Sequence, residues 1–301
     1  MPVSAAIRLG SAALQALADD HGVDLLHIKG PAVDTSLLEV VSSTDPDTGV
    51  TVQRARPRPS IDADILVRPS HVTRMFEAMG EHGWQLAFRF EDGSAFEHAS
   101  TWVREGLASA DVHRSFPGIG ADPQAAFEHL WSERGQVLIA GYPCQVPSLA
   151  AQRLILILHA VRGGQLASGD ILRSWHDATD AQRAEVDALA LTLKAEVALA
   201  AATGRLEAYR HRREYALWQV LSTGDRSRLR LWTARVRAQP DPISAVRTAV
   251  WLVAPKSGRL RQSLGREPTL REIATGWSNQ LGVAGRELRA ALRRTRPGRS
   301  R

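Results

Sequence analysis

The sequence predicts an α+β fold in which strands and helices alternate through the first half and helices alone fill the second. Short apolar runs of strand character alternate with segments whose apolar residues recur at helical spacing as far as Pro147. Almost every segment after that residue has helical spacing. Hydrophobic residues make up 44% of the 301 residues and charged residues 23%, which is typical of a globular protein with a buried core.

The first 147 residues contain both kinds of element. Gly22 ends the first helix, because glycine readily adopts the conformation that follows a helix C-terminus. A second helix is predicted to begin near Pro31, since proline is favoured in a first helical turn. The segment 42–57 is rich in Ser, Thr, Asp and Pro and is predicted to be an exposed loop. In chain order the predicted elements are helix 4–21, strand 23–28, helix 31–41, strand 62–67, helix 70–82, strand 84–90, the hairpin strands 100–104 and 107–116, helix 124–131 and strand 136–140.

The change of character after Pro147 predicts a domain boundary there. We expect a mixed domain at 1–147, a helical domain at 148–290 and a disordered basic tail at 291–301. The predicted helices of the second part are 148–162, 168–178, 181–203, 205–222, 226–237, 241–253 and 269–294.

The chain carries a formal net charge of +6. Such a charge favours nucleic acid, a phosphorylated ligand or an anionic surface as a partner. Nearly all the basic residues are arginines, however, with lysine only at Lys29, Lys194 and Lys256. A preference for arginine that is spread over the whole chain is better explained by genome composition than by an RNA-binding surface. The same bias makes Lys29 stand out.

Cysteine usage and hydropathy favour a cytoplasmic protein. Cys144 is the only cysteine, so no intramolecular disulfide can form and a reducing compartment is expected. No signal peptide is evident at the N-terminus. The apolar run 154–158 is far too short to span a bilayer, so no membrane association is expected.

Three acidic residues carry the functional signal. Asp62 and Asp64 lie two positions apart in the apolar run 60–67, and alternate residues of a strand share a face. Close carboxylates repel each other unless a cation lies between them, and hard oxygen ligands suit magnesium or manganese. Asp111 opens a second strand-like stretch and is expected to supply a third ligand. The alternative is a strand that carries acids by chance near solvent.

A phosphate site is predicted close by. Lys29-Gly30 directly follows the short strand 23–28 and precedes the helix expected near Pro31. The exposed amides of a helix N-terminus attract phosphate, and Lys29 adds a positive charge there. With metals facing it, such a site would neutralise a triphosphate and align attack on its α-phosphorus.

Three segments in this order resemble the uncharacterised nucleotidyltransferase family. They are 26–32 with its Leu-x-x-Lys-Gly turn, 58–67 with its Arg-Pro-x-x-Asp-x-Asp strand, and 111–113 with its Asp-x-His strand. The family belongs to the polymerase-β-like nucleotidyltransferase superfamily, and the resemblance covers about residues 5–180. It implies a polymerase-β-like mixed sheet with flanking helices, followed by the helical domain. It also implies transfer of a nucleoside monophosphate from a nucleoside triphosphate to an acceptor, with release of pyrophosphate.

The resemblance also implies residue roles. Asp62, Asp64 and Asp111 would be catalytic residues and the ligands of Mg²⁺ or Mn²⁺, and Asp111 would help to deprotonate the acceptor hydroxyl. Lys29, Gly30 and Arg58 would bind the nucleotide, with Arg58 alternatively pairing with a carboxylate. The wider superfamily has Gly-Ser or Gly-Gly where this chain has Lys29-Gly30, so its grip on the triphosphate differs.

Three further residues are expected around the centre. His113 lies on the same strand face as Asp111 and would orient it or contact the acceptor; a structural hydrogen bond is the alternative. Asp170 is expected in the helical wall of the cleft. His159 is an alternative member of that wall, but it lies on an apolar helix and is rather expected to be a core histidine with its hydrogen bonds satisfied.

Several functions remain open from the sequence. The leading hypothesis is a metal-dependent nucleotidyltransferase whose acceptor is a small molecule or a peptide natural product. An RNA- or tRNA-modifying enzyme of toxin type, and a protein that binds nucleotide without transfer, are the alternatives. The sequence lacks the Gly-x-x-x-x-Gly-Lys-Ser/Thr loop and the zinc motifs of other enzyme classes, and Gly118-Ile119-Gly120 lacks the context of a dinucleotide site.

Overall fold

The computed structural model describes residues 1–44, 51–93, 96, 98–225 and 227–254, together with scattered positions between 264 and 285. Its strands are β1 (Leu25–His27), β2 (Glu39–Thr44), β3 (Thr51–Arg56), β4 (Asp62–Val67), β5 (Gln85–Phe88), β6 (Ala99–Val103), β7 (Ser109–His113), β8 (Gly135–Ile139) and β9 (Tyr142–Val146). Its helices are α1 (Val3–Asp20), α2 (Val72–Glu81), α3 (Phe90–Gly93), α4 (Pro123–Ser132), α5 (Leu149–Arg162), α6 (Gly169–Ile171), α7 (Asp180–Thr192), α8 (Glu196–Ala202), α9 (Tyr215–Ser222), α10 (Arg228–Arg237) and α11 (Pro242–Val253). The predicted α+β class, with strands before Pro147 and helices after it, is confirmed.

Five strands form a mixed sheet in the order β1-β4-β7-β6-β5. β4 lies inside the sheet, where it pairs antiparallel with β1 and parallel with β7. β6 continues the sheet antiparallel to β7, and β5 pairs antiparallel with β6. The turn between β6 and β7 contains Gly106 at φ +78°, a conformation that favours glycine.

Residues of β1 and β4 alternate between two hydrophobic cores. Leu25 and Ile65 pack in one core with the buried faces of α1 and α2. Leu26 and Leu66 pack in the other with α5, α7 and α8. This alternation follows from the period-two geometry of a strand that is covered on both faces. Asp62 and Asp64 have the parity of Leu66, so their side chains lie on the face that α5 covers.

The predicted helix 31–41 is wrong. The chain there makes two single 3₁₀ turns, Gly30–Ala32 and Thr35–Leu37, and then enters β2. The β-branched residues between Val40 and Thr44 favour extended backbone over helix.

The predicted loop 42–57 is wrong in most of its length. β2 and β3 pair antiparallel from Glu39 opposite Arg56 to Thr44 opposite Thr51, and residues 45–50 between them lie outside the described residues. Both strands are exposed along nearly their whole length, so no apolar alternation marks them in the sequence.

Three other elements differ from the prediction. β9 was not predicted, because proline is disfavoured inside a strand; Pro143 is accommodated in a two-stranded sheet with β8. The predicted helix 181–203 is two helices, α7 and α8, separated at Lys194, whose φ of +53° no α-helix accepts. The predicted helix 205–222 is a 3₁₀ turn at Leu206–Tyr209 followed by α9.

The domain boundary near residue 147 stays a prediction. The core below the sheet contains Leu26 and Leu66 on one side of that boundary and Leu154 and Ile157 on the other. The predicted tail 291–301 and most of the predicted helix 269–294 lie outside the described residues. Within the part that is described, no helix has both the length and the apolar character needed to cross a membrane.

Candidate active site

The pairing of β4 with β7 brings the predicted carboxylates together. The two strands run parallel with Asp64 directly opposite Asp111 and Asp62 opposite Ser109. Residues paired in this way project from the same face of a sheet. Asp64 is buried, whereas Asp62 and Asp111 are half-buried, so the cluster opens towards solvent on one side.

Lys29 is the cation of this cluster. It follows β1 directly, and its Nζ lies 2.5 Å from Asp64 Oδ1, with both side chains almost fully buried. The next residue, Gly30, has φ +62°, which favours glycine, and this left-handed residue begins the turn after Lys29. A backbone hydrogen bond from Ile28 N to Asp64 O (3.2 Å) fixes β1 beside β4 at this point.

His113 is the second partner of Asp64. Its Nε2 lies 3.0 Å from Asp64 Oδ1. Burial lowers the pKa of His113, so the ring is neutral at physiological pH and its Nε2 carries the proton that is donated. Its buried Nδ1 has no hydrogen-bond partner among the described residues. His113 therefore orients Asp64, whereas orientation of Asp111 was one of the predicted roles.

The two aspartates of β4 differ in their electrostatics. Burial would raise the pKa of Asp64, but Lys29 and the hydrogen bond from His113 outweigh it and hold that pKa well below its usual range. Burial, reinforced by the charges of Asp64 and Asp111, raises the pKa of Asp62 to about 6. Ser60 Oγ, 3.2 Å from Asp62 Oδ1, offsets this only in part. Repulsion between the carboxylates of the cluster therefore acts mainly on Asp62.

Thr101 holds the third carboxylate in place. Its Oγ1 donates a hydrogen bond to Asp111 Oδ1 at 2.7 Å, and the two residues are directly paired between β6 and β7. Thr101 was not among the predicted site residues. The predicted hairpin, with a two-residue turn at Glu105-Gly106, would place Ser100 opposite Asp111, whereas the observed register pairs Thr101 with it.

The arrangement suits a divalent cation. Ligand atoms of Asp64, Asp111 and His113 all lie within 4.8 Å of one another. Lys29 and His113 both contact Oδ1 of Asp64, and Thr101 contacts Oδ1 of Asp111, which leaves the second oxygen of each carboxylate for a ligand. Asp62 lies outside this closest group, but the charges of Asp64 and Asp111 contribute to its raised pKa, so it lies in their electrostatic field. Carboxylate oxygens are the donors that magnesium and manganese prefer.

Arg58 is not part of the carboxylate cluster. Its guanidinium makes a two-point contact with Asp170, with Nε 3.1 Å and Nη2 2.9 Å from Oδ2. Both side chains are largely buried. The pair ties the segment before β4 to α6, so the predicted alternative of pairing with a carboxylate is what the structure shows. A role for Arg58 in nucleotide binding stays a prediction.

The helical part adds groups that sequence analysis did not single out. Arg162, the last residue of α5, donates from Nη1 to His98 Nε2 at 2.8 Å. Burial, together with nearby His113 and Arg162, lowers the pKa of His98 to about 2, so that ring accepts the hydrogen bond as a neutral group. The carboxylates of Asp64 and Asp111 partly offset the lowering of the Arg162 pKa by burial, which places this cation in the field of the cluster.

His159 differs from its expectation as a satisfied core histidine. Its side chain is half-buried, and its buried Nδ1 has no hydrogen-bond partner in the described part of the chain. Burial, then the charges of Lys29, Arg162 and Arg58, lowers its pKa to about 3. A neutral imidazole on α5 therefore lies in the field of Lys29, Arg162 and Arg58.

A profile of the uncharacterised nucleotidyltransferase family matches residues 51–208, just over half of the chain. The match includes Arg58, all three aspartates and His113, and it begins after the Lys29-Gly30 turn. No curated protein matches the sequence.

Solved structures with a distant likeness include an antibiotic-resistance factor and an antibiotic adenylyltransferase. The antibiotic-resistance factor ANT(2'')-Ia is 17% identical over 70% of this chain and 97% of its own, with a TM-score of 0.36. The lincosamide antibiotic adenylyltransferase LnuA is 15% identical over 63% and 96%, with a TM-score of 0.30. An antigenic nucleotidyltransferase-like protein from Paracoccidioides brasiliensis is 18% identical over 66% and 96%, with a TM-score of 0.34.

Proposed function

Because this chain belongs to the uncharacterised nucleotidyltransferase family, we propose that it is an active, metal-dependent nucleotidyltransferase. It would transfer a nucleoside monophosphate from a nucleoside triphosphate to a hydroxyl or similar group of a small-molecule or peptide acceptor, and release pyrophosphate. The observation that carries the proposal is the juxtaposition of Asp64 and Asp111 on paired strands with Lys29 against them.

Asp62, Asp64 and Asp111 are the residues that would hold Mg²⁺ or Mn²⁺. Bound there, such ions neutralise the phosphates and stabilise the entering and leaving oxygens. Lys29 exchanges its contact with Asp64 for the triphosphate, because the ammonium is the nearest cation to the cluster and has a flexible stem. His113 keeps Asp64 oriented throughout, as its hydrogen bond does not involve Lys29.

Asp111 is the residue suited to receive the proton of the acceptor hydroxyl. It is half-buried, so an acceptor can reach it, and Thr101 fixes one of its oxygens. A positioned carboxylate of this kind is a general base when the hydroxyl lies within hydrogen-bond distance.

The test is pyrophosphate release and label transfer from each labelled nucleoside triphosphate, with magnesium or manganese and either small metabolites or total RNA. We expect transfer to metabolites, and its loss in Asp111→Asn and Asp62→Asn. Asp187→Asn, an exposed carboxylate that pairs with Arg205, is the matched control and should keep full activity. Nucleotide binding without pyrophosphate release under every condition would overturn the proposal in favour of a non-catalytic role. Transfer to RNA alone would assign the acceptor to the alternative class.

A further inference from the structure

The two helices on the sheet face opposite to the carboxylates end in similar short sequences. Residues 20–22 at the end of α1 and 81–83 at the end of α2 are each an acid, a histidine and a glycine. In both, the histidine caps the helix and the glycine after it has a positive φ, +61° at Gly22 and +81° at Gly83. A left-handed glycine in this position ends a helix and turns the chain away from its axis. His21 and His82 therefore occupy two equivalent helix ends.

The packing of α1 against α2 brings these ends into contact. The ring centroids of His21 and His82 are 5.4 Å apart, and the ring planes are nearly perpendicular, at 87°. Glu81 completes the group, because ligand atoms of all three residues lie within 4.8 Å of one another. His21 is half-buried, whereas Glu81 and His82 are exposed and can adjust by rotation. Two imidazoles and a carboxylate are thus close enough to hold one ion.

The hydrogen bond of His82 prepares its ring for a metal. Nδ1 lies 2.9 Å from the carbonyl oxygen of Ala78, one turn earlier in α2. Because a carbonyl oxygen only accepts hydrogen bonds, Nδ1 carries the hydrogen, and in the neutral ring the lone pair is then on Nε2. Histidines that bind metals usually donate their other ring N–H to a carbonyl or carboxylate in this way, which fixes the tautomer and the ring orientation. Nε2 of His82 is therefore the ligand atom.

The other two side chains have no competing partner within the described residues. Glu81 forms no ion pair there, and neither ring nitrogen of His21 makes a hydrogen bond. The Glu81 carboxylate and the His21 ring nitrogens are therefore available to an ion without breaking an existing contact of the protein.

The charges around the group also suit a cation. The C-terminal end of a helix carries partial negative charge, and neither α1 nor α2 has a basic residue in its last turn. Arg74 adds a positive charge nearby, but its Nη1 donates to the carbonyl oxygen of Gly22 at 3.0 Å and makes no ion pair with Glu81. The charge of Glu81 is therefore not neutralised by this arginine.

We propose that His21, Glu81 and His82 form a zinc site, named here the helix-end site. Imidazole and carboxylate ligands suit Zn²⁺, which takes four ligands, so one position would be left for water. Mg²⁺ prefers oxygen ligands and is disfavoured here. A bound ion would tie the end of α1 to the end of α2 and stabilise this side of the sheet. Because the ligands come from two segments far apart in the chain, no zinc motif of fixed spacing marks the site in the sequence.

Calorimetric titration of zinc chloride into the metal-free full-length chain tests the proposal. Asp111→Asn is the background, because it removes a carboxylate from the other group of residues that could hold zinc. We expect one zinc ion to bind this protein, and its affinity to fall at least about tenfold in both His21→Gln and His82→Gln, since even loss of a residue that only supports a ligand costs that much. His176→Gln is the matched control, because His176 is exposed and belongs to neither group.

Thermal unfolding gives a second readout. Zinc should raise the unfolding temperature of the background protein and of the control, because an ion that binds only the folded state stabilises it. It should not do so in His21→Gln or His82→Gln. Excess magnesium should leave the zinc bound, since imidazole ligands favour zinc.

Three results would overturn the proposal. Absence of zinc binding in the Asp111→Asn background would leave the carboxylate cluster as the only zinc site of the wild type, or leave none. Equal losses in His21→Gln, His82→Gln and His176→Gln would indicate non-specific binding, and displacement of zinc by magnesium would indicate a site of oxygen ligands. Transfer activity enters none of these measurements, so the outcome does not depend on the function proposed above.

Discussion

The charge of Lys29 dominates the site at the level of single residues. Three carboxylates lie on one sheet face, and Lys29 lowers the pKa of both Asp62 and Asp64. An uncompensated charge in a buried position is far more costly than the pair itself is stabilising. The protein without metal therefore depends on this lysine for stability, in addition to the contact with phosphate proposed for it.

We expect Lys29→Met to destabilise the protein by about 3 kcal/mol, because it leaves a buried carboxylate without its cation. Denaturant unfolding measures the change. Magnesium or manganese should restore more stability to this variant than they add to the wild type, since a divalent ion replaces the missing charge. Equal metal effects in the two proteins would show that Lys29 does not compensate the cluster.

The raised pKa of Asp62 predicts that the free energy of unfolding depends on pH. Its carboxyl has a pKa of about 6 in the folded protein against an ordinary value of 3.8, so the folded state holds a proton that the unfolded chain releases. The free energy of unfolding should therefore fall as pH rises from about 4 to 6.

Asp62→Asn removes that ionisation. We expect the variant to be more stable than the wild type by about 1–2 kcal/mol at pH 8, after allowing for partial exposure of the side chain, and similar to it at pH 4. Thermal unfolding across this pH range measures the difference, and Asp20→Asn at the exposed end of α1 is the control. A difference that does not change with pH would contradict the assignment.

The carboxylates were predictable from the sequence, whereas most of their partners were not. Asp62 and Asp64 belong to a strand that its apolar residues reveal in the sequence, and Asp111 begins a second predicted strand. Thr101, His98 and Arg162 come from separate elements, and only the register and the packing of α5 on the sheet bring them to the cluster. Neither the register nor this packing can be read from the local spacing of apolar residues.

At the scale of elements, burial decides which strands the sequence reveals. β4 alternates between two cores and β7 places Ala110 and Val112 in one of them, and both strands were predicted with nearly correct bounds. β2 and β3 are exposed, so their residues are polar and resemble a loop. The hairpin that they form is joined to the helical part at its base, where Arg173 Nε donates to Leu37 O at 2.8 Å and Arg58 meets Asp170.

The ion pair of Arg58 and Asp170 can be tested by a double-mutant cycle. We expect a coupling free energy of about 1–2 kcal/mol between Arg58→Gln and Asp170→Asn, because the contact is two-pointed and largely buried. Denaturant unfolding of the four proteins gives the value. If Arg58 also binds nucleotide, Arg58→Gln will raise the KM for the triphosphate more than Asp170→Asn does; equal effects would leave it a purely structural residue.

At the scale of the whole molecule, a shared core joins the sheet to the helices. The hydrophobic core on the sheet face that carries the carboxylates extends from Leu26 in β1 through Leu158 in α5 to Trp218 in α9. A core of this extent makes separate unfolding of the two predicted domains unfavourable, even though the sequence changes character near residue 147.

We therefore expect one cooperative thermal transition, with the calorimetric enthalpy equal to the van't Hoff enthalpy. Leu158→Ala, a fully buried position in that core, should lower the stability by about 2–5 kcal/mol and shift the whole transition. Two resolved transitions, of which only one moves in the variant, would instead support independent domains.

The contact between Lys29 and Asp64 also affects the order in which the protein folds and binds metal. A resident ammonium allows a newly synthesised chain to complete folding before any divalent ion reaches it, unlike small zinc domains that are unfolded without metal. In the proposed reaction the ion would bind together with the triphosphate, since the nucleotide would give the displaced lysine a new counter-charge. The metal would then enter and leave with each turnover, and a chelator would inhibit the protein without unfolding it.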